Sequence, residues 1–577
     1  MKIISKTIII LILLSSVVFA DQDTTKKADN NKNYREIARQ IKLLGEVIRG
    51  VNLRYVDSIE TDDFIRAGID GMLATLDPYT VFLDKKGNLA LDEMIKGEYC
   101  GVGIEIGLRG KSKKLTIIAP IEDTPAFRVG VKSGDVIVAV DGKSTKGFTT
   151  SDAAKHIRGK EDSEVTLSIR RKGYSKPLDY IIARKNIRIH DVAYAEMLDG
   201  EIGYIKLVAF SSKAGRELRK NLRELLKKEP IGMILDLRSN PGGLLTSAVD
   251  VAQEFLQPKE LIVSQKGRNP RSIRNYPGTR KPLASDIPLV VLVNRGSASA
   301  SEIVAGSIQD HDRGVVIGTT TFGKGLVQSK LKLSEGNALK VTSARYYTPS
   351  GRCIQRDRSK SDDFIYEDDL TADDLSASEP DTSASDTSRS IYYTDAGREV
   401  YGGGGITPDI IIEPSLLDPV SVEMIRKGVF FNFIDEWLSH NERPDTVKVT
   451  TEILTEFNSY LDSVDFTPPI RGEKQLESLR KIGRNDTLDD LYFANIDSIE
   501  AALKRESKTI GQELEKFIYQ RIDRELASAL GGREWRIRSS FDEDIQLTTA
   551  IELLKDEDRY RAELRKDDQT DIEVSVE

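Results

Sequence analysis

Cysteine and histidine are both scarce in this chain of 577 residues, which has 2 cysteines and 4 histidines. The histidines are scattered, without an HExxH pattern, and no paired cysteine spacing occurs, so we expect no metal site. Cys100 and Cys353 could form one disulfide in an exported protein, but their spacing does not decide this. We expect both cysteines to be structural.

The chain also lacks any concentration of positive charge. Its net charge is −8 and its charged residues amount to 31%, so a nucleic-acid partner is not expected. The hydrophobic share of 39% is that of an ordinary folded protein. Because this length exceeds what one hydrophobic core supports, we expect three or four folded units.

Long apolar runs are absent after the first twenty residues. Lys2 and Lys6 come before an apolar run from Ile8 to Phe19, which is followed by Ala20. This is the layout of a signal peptide at residues 1–20, and it predicts cleavage after Ala20 and export. The alternative is a retained anchor, but the run is shorter than the ~20 residues that a spanning helix needs.

Hydrophobic periodicity divides the remaining chain into segments of different character. Strands that alternate with helices predict a layered α/β domain in the middle, so the fold class is a multidomain α+β protein. The predicted segments are a helical N-terminal region at 33–95, a β-rich domain at 96–184, a core at 185–355 plus 392–412, a disordered acidic, Ser-rich insertion at 356–391, and a helical C-terminal extension at 415–577. In that extension an apolar stripe from Ile510 to Leu530 predicts a helix that Gly531-Gly532 ends.

Three short segments of the core follow predicted strands. The glycines of Asn240-Pro241-Gly242-Gly243 let backbone N–H groups face a cavity, or simply make a tight turn. In Ser297-Ala298-Ser299-Ala300-Ser301-Glu302 a helix begins, and its amides could stabilise an oxyanion, although small hydroxyl residues are also ordinary caps. In Phe322-Gly323-Lys324-Gly325 the glycines allow burial of the lysine, which in general lowers a lysine pKa; the alternative is a solvated loop tip.

Residues 318–324 also match most of a Walker A phosphate loop. That motif requires a hydroxyl residue after the lysine, and Gly325 occupies the position, while Leu326-Val327-Gln328 continues as a strand. Nucleotide hydrolysis is therefore disfavoured. A serine nucleophile needs a base, and His311 lies at the far end of the helix predicted to follow Ser299. A Ser–Lys pair is the remaining arrangement.

The order of these segments resembles that of the carboxyl-terminal processing, or tail-specific, serine proteases over roughly residues 35–412. In that family the middle serine of the run is the nucleophile and the lysine follows 25 residues later, which implies Ser299 and Lys324 (324 − 299 = 25). Some members add a glutamine four residues after the lysine, where Gln328 stands. The implied oxyanion amides are those of Ala300 and of Gly242 or Gly243.

The same resemblance implies a crotonase- or Clp-protease-like core and cleavage through an acyl-enzyme. It implies no metal or organic cofactor, and a location in the periplasm or cell envelope of a bacterium. The implied partners are protein substrates with exposed C-terminal tails. The extension from 415 could pack on the core, self-associate or bind an adaptor. The alternative class is a non-catalytic peptide-binding scaffold, which the intact Ser299, Lys324 and Gln328 argue against.

Residues 96–184 resemble a circularly permuted, bacterial PDZ domain. The glycine loop Gly101-Val102-Gly103 would capture a terminal carboxylate, and the strand from Ile104 would pair with an extended peptide. Ala153, Ala154 and Ile157 would line the facing helix and receive an apolar terminal side chain. Arg158 would couple the bound peptide to the core. The alternative is a generic small β-domain.

Overall fold

The computed structural model describes residues 34–565 except 110–112, 357–388, 414–416, 442–443, 445–446, 470–471 and 507–511. The predicted signal peptide at 1–20 and nearly all of the predicted insertion at 356–391 lie outside these residues. Within the described ranges, no helix is long and apolar enough to span a membrane. The chain divides into two compact units, Met1–Phe82 and Leu83–Glu577.

The predicted N-terminal region is mainly helical but contains one short strand. Asp77 forms a turn ahead of that strand, because its carboxylate accepts the N–H groups of Tyr79 and Thr80, each at 2.8 Å. The elements are helix α1 (34–54), helix α2 (Thr61–Ala74), strand β1 (Val81–Leu83) and helix α3 (Lys85–Lys96), the last in the second unit.

The β-rich domain is an antiparallel sheet with the strand order β3-β4-β5-β7-β8, in which β6 also pairs with β5. Strands β2 and β9 pair separately where the chain enters and leaves. Strand β3 is therefore at an edge of the sheet. The elements are β2 (Glu98–Gly101), β3 (Ile104–Arg109), β4 (Lys114–Pro120), α4 (Pro125–Arg128), β5 (Val136–Val140), β6 (Lys143–Ser144), α5 (Thr150–Ile157), β7 (Glu164–Arg170), β8 (Leu178–Ala183) and β9 (Lys185–Arg188).

Helix α5 is capped by Thr149. The Thr149 hydroxyl accepts the N–H of Asp152 at 3.1 Å, and the Asp152 carboxylate accepts the N–H of Thr149 at 3.2 Å. This reciprocal pair is a capping box, which satisfies two amides at the start of the helix.

The core contains a six-stranded sheet with the order β10-β11-β12-β15-β16-β21, parallel except for β10. A second, antiparallel sheet pairs β17 with β18, β18 with β13 and β13 with β14. Strands β12, β15 and β16 are buried along their whole length, which explains their continuous apolar sequences. The elements are β10 (Val192–Leu198), β11 (Ile202–Leu207), α6 (Ala214–Leu226), β12 (Gly232–Asp236), α7 (Leu245–Ala252), β13 (Leu261–Gly267), β14 (Arg274–Pro277), β15 (Leu289–Val293), α8 (Ala300–Asp310), β16 (Val315–Gly318), β17 (Leu326–Lys332), β18 (Ala338–Tyr347), β19 (Ile391–Tyr393), β20 (Glu399–Tyr401) and β21 (Ile410–Ile411).

The final strand of this sheet is shorter than the sequence pattern indicates. A strand is expected from Ile406, but the N–H of Ile406 donates to the hydroxyl of Thr321 at 2.7 Å. Pairing with β16 therefore begins only at Ile410.

The C-terminal extension forms a helical domain with its own aromatic core, in which Phe430 stacks on Phe457 with ring centres 5.2 Å apart. The predicted stripe is the buried face of α14, although Ile510 lies outside the described residues. Gly531 and Gly532 interrupt α14 as expected, but helical residues resume and continue to Arg538. The elements are α9 (Pro419–Lys427), α10 (Val429–His440), α11 (Thr451–Ser463), α12 (Glu473–Asn485), α13 (Asp490–Glu506), α14 (Gln512–Arg538), α15 (Ile545–Lys555) and α16 (Glu557–Glu563).

The last two helices belong to the core rather than to the helical domain. Helices α6, α7 and α8 cover one face of the six-stranded sheet, and α15 and α16 cover the other. Leu547 and Leu553 of α15 pack with Ile234 and Val290 of the sheet. Among the three alternatives for the extension, packing on the core is therefore observed.

Candidate active site

The three segments singled out by sequence meet at one edge of the six-stranded sheet. They follow β12, β15 and β16, which are adjacent and parallel, so their carboxyl ends lie side by side. This is the edge where ligands bind in open α/β sheets. After the third segment the chain continues as β17, as the strand pattern from Leu326 predicts, and not as the helix of a phosphate loop.

Ser299 differs from its two neighbouring serines in conformation and in exposure. Its φ of 56° and ψ of −108° are strained for a residue with a side chain, as occurs at functional turns. The Ser297 hydroxyl donates to the carbonyl of Leu237 and the Ser301 hydroxyl to that of Asn240, both at 2.8 Å. Both of these serines are 0% exposed, whereas Ser299 is half-buried. The geometry distinguishes Ser299 independently of any spacing rule.

Glu302 holds the Ser299 and Lys324 backbones together. One carboxylate oxygen, Oε2, accepts the N–H of Ser299 at 2.7 Å and the N–H of Lys324 at 2.9 Å. The other, Oε1, accepts the N–H of Gly323 at 2.7 Å and the hydroxyl of Thr321 at 2.6 Å. Burial raises the Glu302 pKa, while these four donors act in the opposite direction. The carboxylate thus joins the start of α8 to the lysine loop.

Tyr346 makes a second link between the same two residues. Its hydroxyl lies 2.6 Å from the carbonyl oxygen of Lys324 and 3.1 Å from that of Ser299. The side chain is 1% exposed, and burial raises its pKa well above the ordinary value, so the hydroxyl stays protonated and able to donate. The Ser299 and Lys324 main chains are therefore held from both sides.

The side chains that follow in the lysine segment are partly enclosed. Lys324 is half-buried, directly before β17, and takes part in interactions of its own. Gln328, on β17, donates from Nε2 to the Thr342 hydroxyl at 2.7 Å. Its Oε1 is buried and has no partner in the described part of the chain. That oxygen is available to accept a hydrogen bond within the site.

The implied oxyanion amides lie against the serine turn. A Cβ on Gly242 would stand 2.8 Å from the Ala300 nitrogen and 2.9 Å from the Ser299 Cβ. The N–H of Gly242 itself donates to the Asn240 side chain at 3.0 Å, so it is occupied within its own turn. The N–H groups of Gly243 and Ala300 have no acceptor among the described residues. Of the two glycine alternatives, Gly243 is thus the one with an available donor.

Two asparagines connect the glycine turn to the serine turn. The carbonyl of Asn240 accepts the N–H of Ala298 at 3.0 Å, and its side chain donates to the carbonyl of Leu207 at 2.9 Å. The Asn294 side chain accepts the N–H of Ser239 at 2.7 Å. The two turns consequently form one hydrogen-bonded unit.

Sequence reasoning assigned no role to Glu302, Tyr346 or Asn294. A signal for Glu302 was present, because Ser299-x-x-Glu302 has the spacing of a capping box. Tyr346 is distant in sequence from both residues that it contacts, so no local pattern indicates it.

The glycine loop predicted to capture a carboxylate is partly strand. Gly101 is the last residue of β2 and pairs with Lys185 of β9. The carbonyl of Val102 accepts the N–H of Ala126 at 2.9 Å, and that of Gly103 accepts the N–H of Ile121 at 3.0 Å. The N–H groups of Val102 and Gly103 have no acceptor in the chain as described, so they are available to a ligand.

The predicted apolar receptors on α5 are enclosed in the domain core. Ala153 is 0% and Ile157 4% exposed, because they lie on the face of α5 that packs on the sheet. Ala154 is half-buried. Contact of these residues with a peptide side chain stays a prediction. Arg158 forms an ion pair with Glu93 of α3 at 2.9 Å.

An open cavity of about 3500 Å³ lies among the β-rich domain, the core and the helical domain. Its lining includes all of edge strand β3, from Ile104 to Arg109, and Thr150 of α5. On the core side it includes Ser239, Asn294 and Gly296, which flank the serine turn, but not Ser299 itself. Edge strand β3 and residues that flank the serine turn therefore line one open cavity.

Three family models match this chain. The model described as peptidase family S41 matches residues 201–363, and a PDZ domain model matches 116–171. A model described as the C-terminal helical domain of a probable PDZ-protease matches 420–554. The helical extension, which the sequence resemblance left outside the common core, is therefore a domain that also occurs with PDZ-proteases.

Similar curated proteins include a carboxy-terminal-processing protease of Bartonella bacilliformis, 39% identical over 345 residues, with 59% of this chain and 77% of the relative covered. A probable CtpA-like serine protease of Staphylococcus aureus is 34% identical over 367 residues, covering 63% of this chain and 71% of the relative. A solved structure of a photosystem II D1 C-terminal processing protease is 28% identical, covers 65% of this chain and 93% of that one, and has a TM-score of 0.34. The matched models and the extent of the curated relatives show that this chain belongs to the carboxy-terminal-processing serine proteases of peptidase family S41.

Proposed function

We propose that this chain is an exported serine endopeptidase that captures the C-terminal tails of protein substrates and cleaves them by a Ser–Lys mechanism. The observation that carries the proposal is the shared carboxylate oxygen of Glu302, which accepts the N–H groups of both Ser299 and Lys324. It fixes a serine in a strained turn relative to a half-enclosed lysine. His311 does not take that place, since it ends the helix that Ser299 begins.

In the proposed reaction, a neutral Lys324 takes the proton of the Ser299 hydroxyl, and the serine oxygen attacks a peptide carbonyl carbon. The carbonyl oxygen becomes an oxyanion, which the N–H groups of Ala300 and Gly243 receive. The proton passes to the departing amine as the C–N bond breaks. Water then attacks the acyl-enzyme and regenerates the serine hydroxyl. Gln328 orients the lysine through its unpartnered Oε1.

The test is cleavage of an unfolded protein by the wild type, Ser299→Ala and Lys324→Ala. Both variants should lose measurable turnover. Ser307→Ala is the matched serine control, because Ser307 lies on the same helix and donates only to the carbonyl of Val304. Lys332→Ala is the lysine control, because Lys332 lies at the exposed end of β17. Full activity in either site variant would refute the mechanism, and no cleavage by any form would favour the scaffold alternative.

The proposed tail-binding site is the edge of β3 together with the available amides of Val102 and Gly103. Added-strand pairing supplies affinity through the main chain, and the amides receive the terminal carboxylate. Binding should be measured on Ser299→Ala, so that the peptide is not consumed. A peptide with a free carboxyl terminus should bind at least about tenfold more tightly than its amide, since a charged hydrogen-bonded contact is worth ~1.5–3 kcal/mol. Equal affinities would exclude carboxylate capture.

Export rests on the pattern of residues 1–20. We propose cleavage after Ala20 and residence in the periplasm or cell envelope. The N-terminal sequence of the mature protein should begin at Asp21. Cell fractionation should place the mature protein outside the cytoplasm. An intact N-terminus on a membrane fraction would instead indicate the retained anchor.

A further inference from the structure

The start of α15 reaches the glycine turn of the core. The turn residue Arg238 points at Asp544, which is the last residue before α15. Arg238 Nη1 lies 2.8 Å from Asp544 Oδ1, and Nη2 lies 2.6 Å from Asp544 Oδ2. The two side chains are only 14% and 17% exposed, so solvent screens the pair little. Gln546 adds a third contact to Arg238, at 3.1 Å.

Asp544 has a second role, which is to cap α15. The N–H of Leu547 donates to its carboxylate at 3.1 Å. The cap and the ion pair are separable, because asparagine caps a helix about as well as aspartate but carries no charge.

On the other side, Arg238 is bonded to the end of β12. Its Nε and Nη2 donate to the Asp236 carboxylate at 3.0 and 2.7 Å. Asp236 is 0% exposed; burial alone raises its pKa, but Arg238 and Lys206 outweigh this and lower it. The guanidinium is thus shared between one carboxylate of the sheet and one of α15.

The residues after Arg238 form the turn that supports the site. Ser239 is held at a positive φ of 58°. Asn240 then accepts the N–H of Ala298 and the hydroxyl of Ser301, and Gly242 abuts Ala300. A change in the direction of Arg238 therefore moves groups that touch the start of α8.

We propose that Asp544 is a positioning residue for the hydrolytic reaction, acting through Arg238 on the turn that sets the oxyanion amides against Ser299. The inference rests on the proposed function of Ser299. It gives the C-terminal extension a part in catalysis that is distinct from recruiting a partner. Asp544 touches neither substrate nor the reacting atoms.

The test is steady-state cleavage of a short peptide by Asp544→Asn in the full chain. This variant keeps the cap and loses the charge. We expect kcat to fall at least about tenfold with KM within about twofold, because a ~1 Å misplacement far from the chemistry costs up to 10²-fold. Asp556→Asn is the matched control: Asp556 caps α16 by accepting the N–H of Arg559 at 3.0 Å, and it lies at the opposite end of α15 from Asp544. It should keep the wild-type kcat.

A double-mutant cycle separates positioning from simple loss of stability. Arg238→Met removes the guanidinium, and with it every hydrogen bond and ion pair to Asp544. If Asp544 acts through Arg238, then Arg238→Met with Asp544→Asn is no slower than Arg238→Met alone. All rates are taken well below each variant's melting temperature. An unchanged kcat in Asp544→Asn, or additive losses in the cycle, overturns the inference. Failure of the proposed function appears separately, as wild-type activity in Ser299→Ala.

Discussion

Gly242 lies so close to Ala300 that a Cβ at position 242 would stand 2.8 Å from the Ala300 nitrogen. That nitrogen is one of the two donors proposed for the oxyanion. The backbone at Gly242 also has a φ of 98°, which side-chain-bearing residues rarely adopt. Both the conformation and the contact require glycine at this position.

Replacing Gly242 by alanine should therefore strongly reduce activity. The added methyl group displaces the Ala300 amide, and we expect kcat to fall by about 10²-fold or more. Gly351→Ala controls for backbone strain, because Gly351 has a similar φ of 87° but no atom within 4 Å of an added Cβ. It should lose about 1–2 kcal/mol of stability and keep its kcat. Equal kcat values in the two variants would contradict the assigned contact.

Replacing Glu302 by glutamine should lower both activity and stability. The amide NH₂ would face two of the four donors that now meet a carboxylate, and the Ser299 and Lys324 loops would separate. We expect a loss of ~1–3 kcal/mol in the free energy of unfolding and a kcat at least about tenfold lower. Glu254→Gln is the control, since Glu254 is equally buried but pairs with Arg219 and Arg280 away from the site. Comparable kcat losses in both would argue against a role for Glu302.

Tyr346→Phe removes only the hydroxyl that bridges the carbonyls of Ser299 and Lys324. A neutral hydrogen bond is worth about 1 kcal/mol, so kcat should fall about fivefold while KM changes little. The neighbouring Tyr347, whose ring lies under Lys266, offers Tyr347→Phe as a control with wild-type kcat. Wild-type kinetics in Tyr346→Phe would show that the Glu302 carboxylate suffices.

His311 should make stability depend on pH. Burial opposes its charge, but the Asp395 carboxylate and the Leu261 carbonyl, at 2.7 and 2.8 Å, raise its pKa above 6.5. Because the folded pKa exceeds the unfolded one, this stabilisation is complete below about pH 6.5 and is lost as pH rises through the folded pKa. Melting temperatures between pH 5 and pH 9 should fall toward high pH. His311→Gln should remove that part of the slope, and an unchanged slope would exclude His311 as its source.

The parallel strands and the three catalytic segments could be predicted because their signals are local. A strand buried on both faces is a continuous apolar run, as the sequence of β15 is. Adjacent parallel strands then bring their following turns together. Selecting Ser299 among three serines needed the family spacing, whereas the structure separates it by φ and by the bonded neighbours Ser297 and Ser301.

The parts that were not predicted depend on contacts between distant segments. The apolar face of α15 could pack on any apolar surface, so its local sequence does not indicate that Leu547 and Leu553 cover the six-stranded sheet. Likewise, the sequence pattern predicts a strand from Ile406, but the N–H of Ile406 donates to the hydroxyl of Thr321, which is distant in sequence.

The packing of α15 on the six-stranded sheet has a consequence for how the chain folds during synthesis. Strands β12 and β15 are synthesised before the helical domain, and α15 is synthesised after it. The apolar face that includes Ile234 and Val290 therefore has no native cover until α15 has emerged. The pairing is among the longest-range contacts of the chain, which slows folding. A nascent or C-terminally truncated chain can contain Ser299 and Lys324 and still lack the two helices that cover one face of the sheet. The native sheet is therefore covered on both faces only after α15 and α16 have been synthesised.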